Sequence, residues 1–126
     1  MDGDTTANRK VLIVDDSVLT VLKVEEVLHS KSYPTVHLTT PSGFWAKIDY
    51  EQPKLLLIDI TMARFDHTEV LRELRQNTNY QDMAVVLFCE MEATKLQQIC
   101  VDHDVNGYYC KSQDINQLPD FIENFF

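Results

Sequence analysis

The stretch that decides the fold is Lys10–Ser17, KVLIVDDS. Val11 to Val14 are all apolar, and the run ends abruptly in two adjacent carboxylates, Asp15 and Asp16. A short run rich in Val and Ile, without alternation, reads as a strand buried on both faces. Like charges that close repel, and such a site holds a second negative charge only at a cost. The pair therefore either points into water or shares something positive.

Working outward, the same pattern returns along the chain. Ser17 can cap a helix whose apolar face is Val21, Val24, Val27 and Leu28. After the punctuating YPT, the segment TVHLT (35–39) reads as a second strand, and Ser42 to Tyr50 as a short helix. PKLLLID (53–59) is another buried strand that ends in an aspartate, Asp59. Thr68 to Gln76 is helical, with Val70, Leu71 and Leu74 facing inward. MAVVLFC (83–89) is the fourth strand, and the next helix carries Leu96, Ile99, Cys100 and His103 at helical spacing. GYYC (107–110) is a short fifth strand, followed by a helix with Leu118, Ile122 and Phe125. Pro119 predicts an irregular start to that last helix.

Five strand-then-helix units with short links predict an α/β fold, a parallel sheet with helices on both faces. The chain of 126 residues, 44% of them apolar, suits one domain over residues 10–126, behind a polar, solvated lead-in at 1–9. The formal net charge of -9 argues against nucleic acid or an anionic membrane as the main partner. No apolar run reaches membrane-spanning length, and MDGDTTANRK lacks the apolar core of a signal peptide. With three widely spaced cysteines and no CxxC, free thiols and a cytoplasmic setting are expected. The four histidines show no zinc-ligand spacing.

In such sheets the site lies beyond the carboxyl ends of the strands. Asp15 and Asp16 end the first strand, Asp59 the third and Cys89 the fourth, while Lys111 follows the fifth. Clustered carboxylates are the hard oxygen ligands that Mg²⁺ prefers. A carboxylate can act as a nucleophile toward phosphorus, and a metal and a lysine can neutralise the transferred group. These parts suffice for phosphoryl transfer to Asp59.

At this point the chain resembles response-regulator receiver domains, the CheY-like family. The motifs are VLIVDDS (11–17), LLLIDITM (55–62) and NGYYCKS (106–112), and the likeness covers essentially the whole chain. The resemblance implies a flavodoxin-like, doubly wound, five-stranded parallel sheet in order 2-1-3-4-5 with five helices. It implies that Asp59 accepts a phosphoryl group from a histidine kinase or histidine phosphotransfer protein. Mg²⁺ would be held by Asp16 and Asp59, by Asp15 largely through water, and by the Thr61 backbone carbonyl. Lys111 would bind a phosphoryl oxygen, and Cys89 and Tyr108 would stand at the switch positions.

The departures from the family pattern fall on coupling rather than chemistry. Cys89 stands where the family usually has Thr or Ser, and a thiol is a weaker donor than a hydroxyl. In MARFDH (62–67), Ala63 replaces a proline and His67 a glycine, and His carries a cost if that position needs a positive φ. Ser112 stands where a proline usually follows the lysine. Cys89 and Cys110 end neighbouring strands in this scheme and read as inert buried thiols, with a redox pair as the alternative. A reactive Cys89, its pKa lowered by Lys111, is the sharper alternative.

Three functions compete on these residues. The first is a phosphorylation-dependent signalling receiver, acting through protein contacts on the face of the last two helices; of Phe121, Phe125 and Phe126, core packing accounts for one or two, and the remainder could dock a downstream protein or a second copy. The second is a receiver-like binding module that does not switch. The third is an aspartyl-phosphate hydrolase. By resemblance, those enzymes carry a second acid two residues after the nucleophile, where this chain has Thr61, so no independent enzyme is expected.

Overall fold

The continuous apolar runs form the centre of one parallel sheet. A computed structural model of the chain describes residues 9–126. Residues 1–8 of the expected lead-in lie outside the described residues. Arg9 is not simply solvated: its guanidinium lies 4.0 Å from the centre of the Tyr33 ring and donates to Glu123 at 2.8 Å.

The strands are β1 (Val11–Val14), β2 (Thr35–Leu38), β3 (Leu55–Ile58), β4 (Ala84–Cys89) and β5 (Gly107–Cys110). Their order is β2-β1-β3-β4-β5, and every neighbouring pair is parallel. The helices are α1 (Val18–His29), α2 (Phe44–Glu51), α3 (His67–Gln76), α4 (Ala93–His103) and α5 (Leu118–Ile122). The parallel sheet with helices on both faces expected from the alternation, and the doubly wound order 2-1-3-4-5 implied by the resemblance, are both observed.

Alternation along each strand sends side chains to two cores. Leu12, Val14, Leu56, Ile58, Val85 and Leu87 pack under α2, α3 and α4. Val11, Ile13, Leu55, Leu57, Val86 and Phe88 pack under α1 and α5. Burying one such side chain fully is worth about 1.5–3 kcal/mol, so these two layers supply the main driving force. β1, β3 and β4 are buried along their whole length, whereas the edge strands β2 and β5 are only partly covered.

Helix starts follow their caps. Ser17 accepts from Thr20 N–H at α1, and Asp66 from Glu69 N–H at α3. α5 is a short helix with Pro119 in its first turn, entered through a 3₁₀ turn at Ile115–Gln117, as the proline predicts.

Core packing accounts for two of the C-terminal phenylalanines: Phe121 and Phe125, partly buried, pack on the α1/α5 core, while Phe126 stays 39% exposed. A Cβ at Gly107 would sit 2.9 Å from the Phe125 ring, so this close approach uses the missing side chain. Phe126 lies on the Tyr33 ring, 5.4 Å between centroids. His67 does not take a positive φ, because it begins α3. The left-handed residue of that loop is Arg64, at φ 60°.

At the amino ends of the strands a polar clamp ties α3 to the sheet. Arg75 donates to the Asp104 carbonyl at 2.9 Å, to the Met83 carbonyl at 3.3 Å and to Asn106 Oδ1 at 2.8 Å. Asn106 Oδ1 also accepts from Val85 N–H at 2.8 Å, and Asn106 N–H donates to the Val85 carbonyl at 3.0 Å.

Candidate functional site

The ladder of the sheet runs one residue past each strand and fixes the site. Asp15 N–H donates to Leu38 at 3.1 Å, Asp59 N–H to Val14 at 2.9 Å, and Lys111 N–H to Cys89 at 3.0 Å. Three residues far apart in sequence are thereby held at the same edge by backbone bonds.

Their side chains converge on one ammonium. Lys111 Nζ lies 2.7 Å from Asp59 Oδ2 and 2.7 Å from Asp15 Oδ2. The contact to Asp59 is a directed hydrogen bond. The contact to Asp15 is an ion pair at the same distance, so the one ammonium is shared between two buried carboxylates. Asp15 is 1% exposed and Asp59 5%. The adjacent aspartates thus have different surroundings: Asp15 is buried beside Lys111, and Asp16 is exposed.

Local turns hold the remaining carboxylate oxygens. Asp15 Oδ1 accepts from Ser17 N–H at 2.9 Å. Asp59 Oδ1 accepts from Thr61 N–H at 2.8 Å and from the Thr61 hydroxyl at 2.5 Å. Both are turns in which an aspartate caps the amide two residues on, a preference written as D-x-S and D-x-T in the sequence. The Thr61 hydroxyl is the site group that reading the sequence missed, and the D-x-T pattern was its available signal.

Burial pushes the Asp59 carboxyl up, but the bonds from Lys111 and Thr61, with the Lys111 charge, outweigh it and hold Asp59 below the ordinary carboxylate value. Burial pushes Lys111 down, and Asp15 and Asp59 more than restore it, leaving it above its ordinary value. Asp59 is therefore an ionised carboxylate at neutral pH, and its partner a full ammonium.

Cys89 is buried beneath this pocket. Its Sγ accepts from Ile60 N–H at 3.4 Å and lies 3.9 Å from the Ile58 carbonyl. Burial pushes the thiol up to about 12, and Lys111 opposes this only weakly. This burial works against the sharper alternative of a thiol activated by Lys111. Tyr108 is half-buried against the α2/α3/α4 core.

Among the described residues, no group of three or more His, Cys, Asp or Glu side chains is arranged to hold a metal by itself. A Mg²⁺ ion asks for less, since it keeps several waters and uses one or two carboxylates. Two buried carboxylates, Asp15 and Asp59, that share a single ammonium are a hard oxygen donor set with negative charge left over, which fits such an ion.

Comparison with known proteins agrees with this geometry. The response regulator receiver domain family matches residues 11–123. The chain is 33% identical over 81 residues to a protein-glutamate methylesterase/protein-glutamine glutaminase of Trichodesmium erythraeum, covering 63% of this chain and 22% of that protein. It is 25% identical over 132 residues to the response regulator Rcp1 of Synechocystis, covering 98% of this chain and 90% of that one. The solved signal receiver domain of a response regulator from Bermanella marisrubri superposes with a TM-score of 0.81 at 25% identity, over 94% of this chain and 98% of that one. With the matched segment running from β1 into the turn after α5, the chain belongs to the response regulator receiver domain family of two-component signalling.

Proposed function

We propose that this chain accepts a phosphoryl group on Asp59 from a phosphohistidine of a histidine kinase or histidine phosphotransfer protein, in a Mg²⁺-dependent reaction. The observation that carries the reading is the Asp59 carboxylate, ionised and held between Lys111 and Thr61, with the buried Asp15 carboxylate on the same ammonium. An Asp59 oxygen attacks phosphorus, the donor N–P bond breaks and a carboxyl–phosphate bond forms. Lys111 is already at hydrogen-bond distance from Asp59 and can follow the phosphoryl oxygens. Asp15, Asp16, Asp59 and the Thr61 carbonyl would hold Mg²⁺, which supplies charge neutralisation when bound. The Thr61 hydroxyl orients Asp59 and must release Oδ1 if that oxygen reacts.

The output runs through protein contact. An open groove of about 480 Å³ between α4, β5 and α5 is lined by Cys100, Val101, Tyr108, Phe121 and Phe125, among others. It is the surface we assign to a downstream protein or a second copy. Among the described residues no helix is long and apolar enough to cross a membrane, in keeping with a cytoplasmic receiver. Turnover in this reading is limited to phosphorylation and dephosphorylation of the chain itself.

A second reading, a binding module that does not switch, is favoured by one observation: the buried Cys89 thiol at the end of β4, engaged with Ile60 rather than offering a strong donor. Both readings meet in one experiment, amide NMR of the protein with Mg²⁺ and then beryllofluoride, a phosphoryl mimic, with Asp59→Asn as control. Asp59-dependent shifts reaching Tyr108 and α4–α5 support the switching receiver. Shifts confined to the acidic pocket support the second reading, and no Asp59-dependent response overturns the phosphoacceptor.

A further inference from the structure

Two cysteines stand side by side at the ends of β4 and β5. Cys89 and Cys110 are register partners in the parallel pair β4·β5. Paired residues on parallel strands point to the same face, and this pair obeys the rule. Leu87 and Tyr108 are partners on the α2/α3/α4 face, Phe88 and Tyr109 on the other, and Cys89 and Cys110 return to the first. Adjacent strands lie about 4.8 Å apart, which is inside the Cα separation that a disulfide spans. Both residues are the last of their strands, so the bridge would adjust strand ends and not the middle of the ladder.

Their present engagements differ. Cys110 is half-buried, and its Sγ lies 3.7 Å from the Met91 carbonyl, over the end of β4. Cys89 is wholly buried and turned toward β3, where it accepts from Ile60 N–H. The third thiol, Cys100, is buried in the last turn of α4 and belongs to neither strand of the pair.

We propose that Cys89 and Cys110 form an oxidisable dithiol site that closes a cross-strand disulfide in the presence of a peroxide. The accessible Cys110 thiol is oxidised first: hydrogen peroxide gives the sulfenic acid and one water. Cys89 sulfur then attacks Cys110 sulfur, the S–O bond breaks, and hydroxide leaves with the Cys89 proton as a second water. Closure requires Cys89 to rotate toward β5 and release Ile60 N–H, the amide next to Asp59. Oxidation is thereby linked to the β3–α3 loop without any requirement for phosphate.

The test is peroxide titration of the intact chain, with free-thiol counting and peptide mapping by mass spectrometry, alongside Cys110→Ser and Cys100→Ser. The expected result is loss of two of the three free thiols, an 89–110 linked peptide, and reversal by dithiothreitol. Cys100→Ser should behave the same, and Cys110→Ser should lose the link. In the oxidised wild type the Ile60 amide resonance should shift. Oxidation that stops at Cys110 alone, links two chains through Cys110, or consumes Cys100 instead would overturn the proposal. So would a linked peptide with an unmoved Ile60 amide, for the coupling.

Discussion

Two polar networks sit at opposite ends of the same sheet, and they are finished to different degrees. At the amino ends, Arg75 and Asn106 satisfy one another and three backbone carbonyls, and the Val85 amide is satisfied as well. At the carboxyl ends, one lysine is shared between two buried carboxylates, so negative charge is left over. A balanced network stabilises and has nothing left to offer, whereas excess buried charge is costly unless a cation completes it. The contrast separates architecture from chemistry without reference to sequence motifs.

The largest expected effect breaks the unfinished end. Lys111→Met leaves Asp15 and Asp59 facing each other, and phosphoryl uptake from a small-molecule donor should fall by about 10²-fold or more. A single-turnover assay by intact-mass spectrometry reads this directly. The matching change at the finished end is Arg75→Leu, which strands the carbonyls of Met83 and Asp104. It should cost roughly 1 to 2 kcal/mol in urea denaturation while phosphoryl uptake stays unchanged.

A pH series sharpens the same contrast with a smaller effect. Asp59 is held below its ordinary 3.8, so its ionised form stabilises the fold above that pH, and the contribution is lost as pH falls through the lower folded value. Lys111 is held above 10.5, so its contribution is complete below that pH and lost as pH rises through the higher folded value. Asp59→Asn should flatten the acid limb of the stability curve, and Arg75→Leu should leave that limb in place. The smallest change is Cys89→Thr, which exchanges a weak S–H donor for a hydroxyl. Stability should move by no more than about 1 kcal/mol. The beryllofluoride-dependent amide shifts should extend further toward Tyr108 than in the wild type.

The finished and unfinished ends were not equally legible in the sequence. The strands were, because VLIV, LLLI and AVVLFC are short unbroken apolar runs that only a doubly covered sheet can bury. Asp15, Asp59 and Lys111 were legible as strand-end residues. What the sequence hid was direction: nothing in DD says that Asp15 is buried and Asp16 exposed. Arg75 and Asn106 were invisible as a pair because their link spans 31 residues and follows from helix docking, not from any local pattern. Which of the C-terminal phenylalanines pack was hidden as well, because Gly107 opens room for Phe125 and Tyr33 supplies a ring for Phe126.

The left-handed Arg64 has a practical consequence. It is an exposed basic residue in the non-helical turn between Thr61 and α3, and its backbone is held at φ 60°. Loop tips of this kind are where proteases nick folded chains. Trypsin cleavage after Arg64 would sever the segment carrying Asp59 from the helix that follows it. The rate of that single cut, followed on a gel, would report how firmly the loop is held, and so whether the pocket is filled, with no label and no knowledge of the partner.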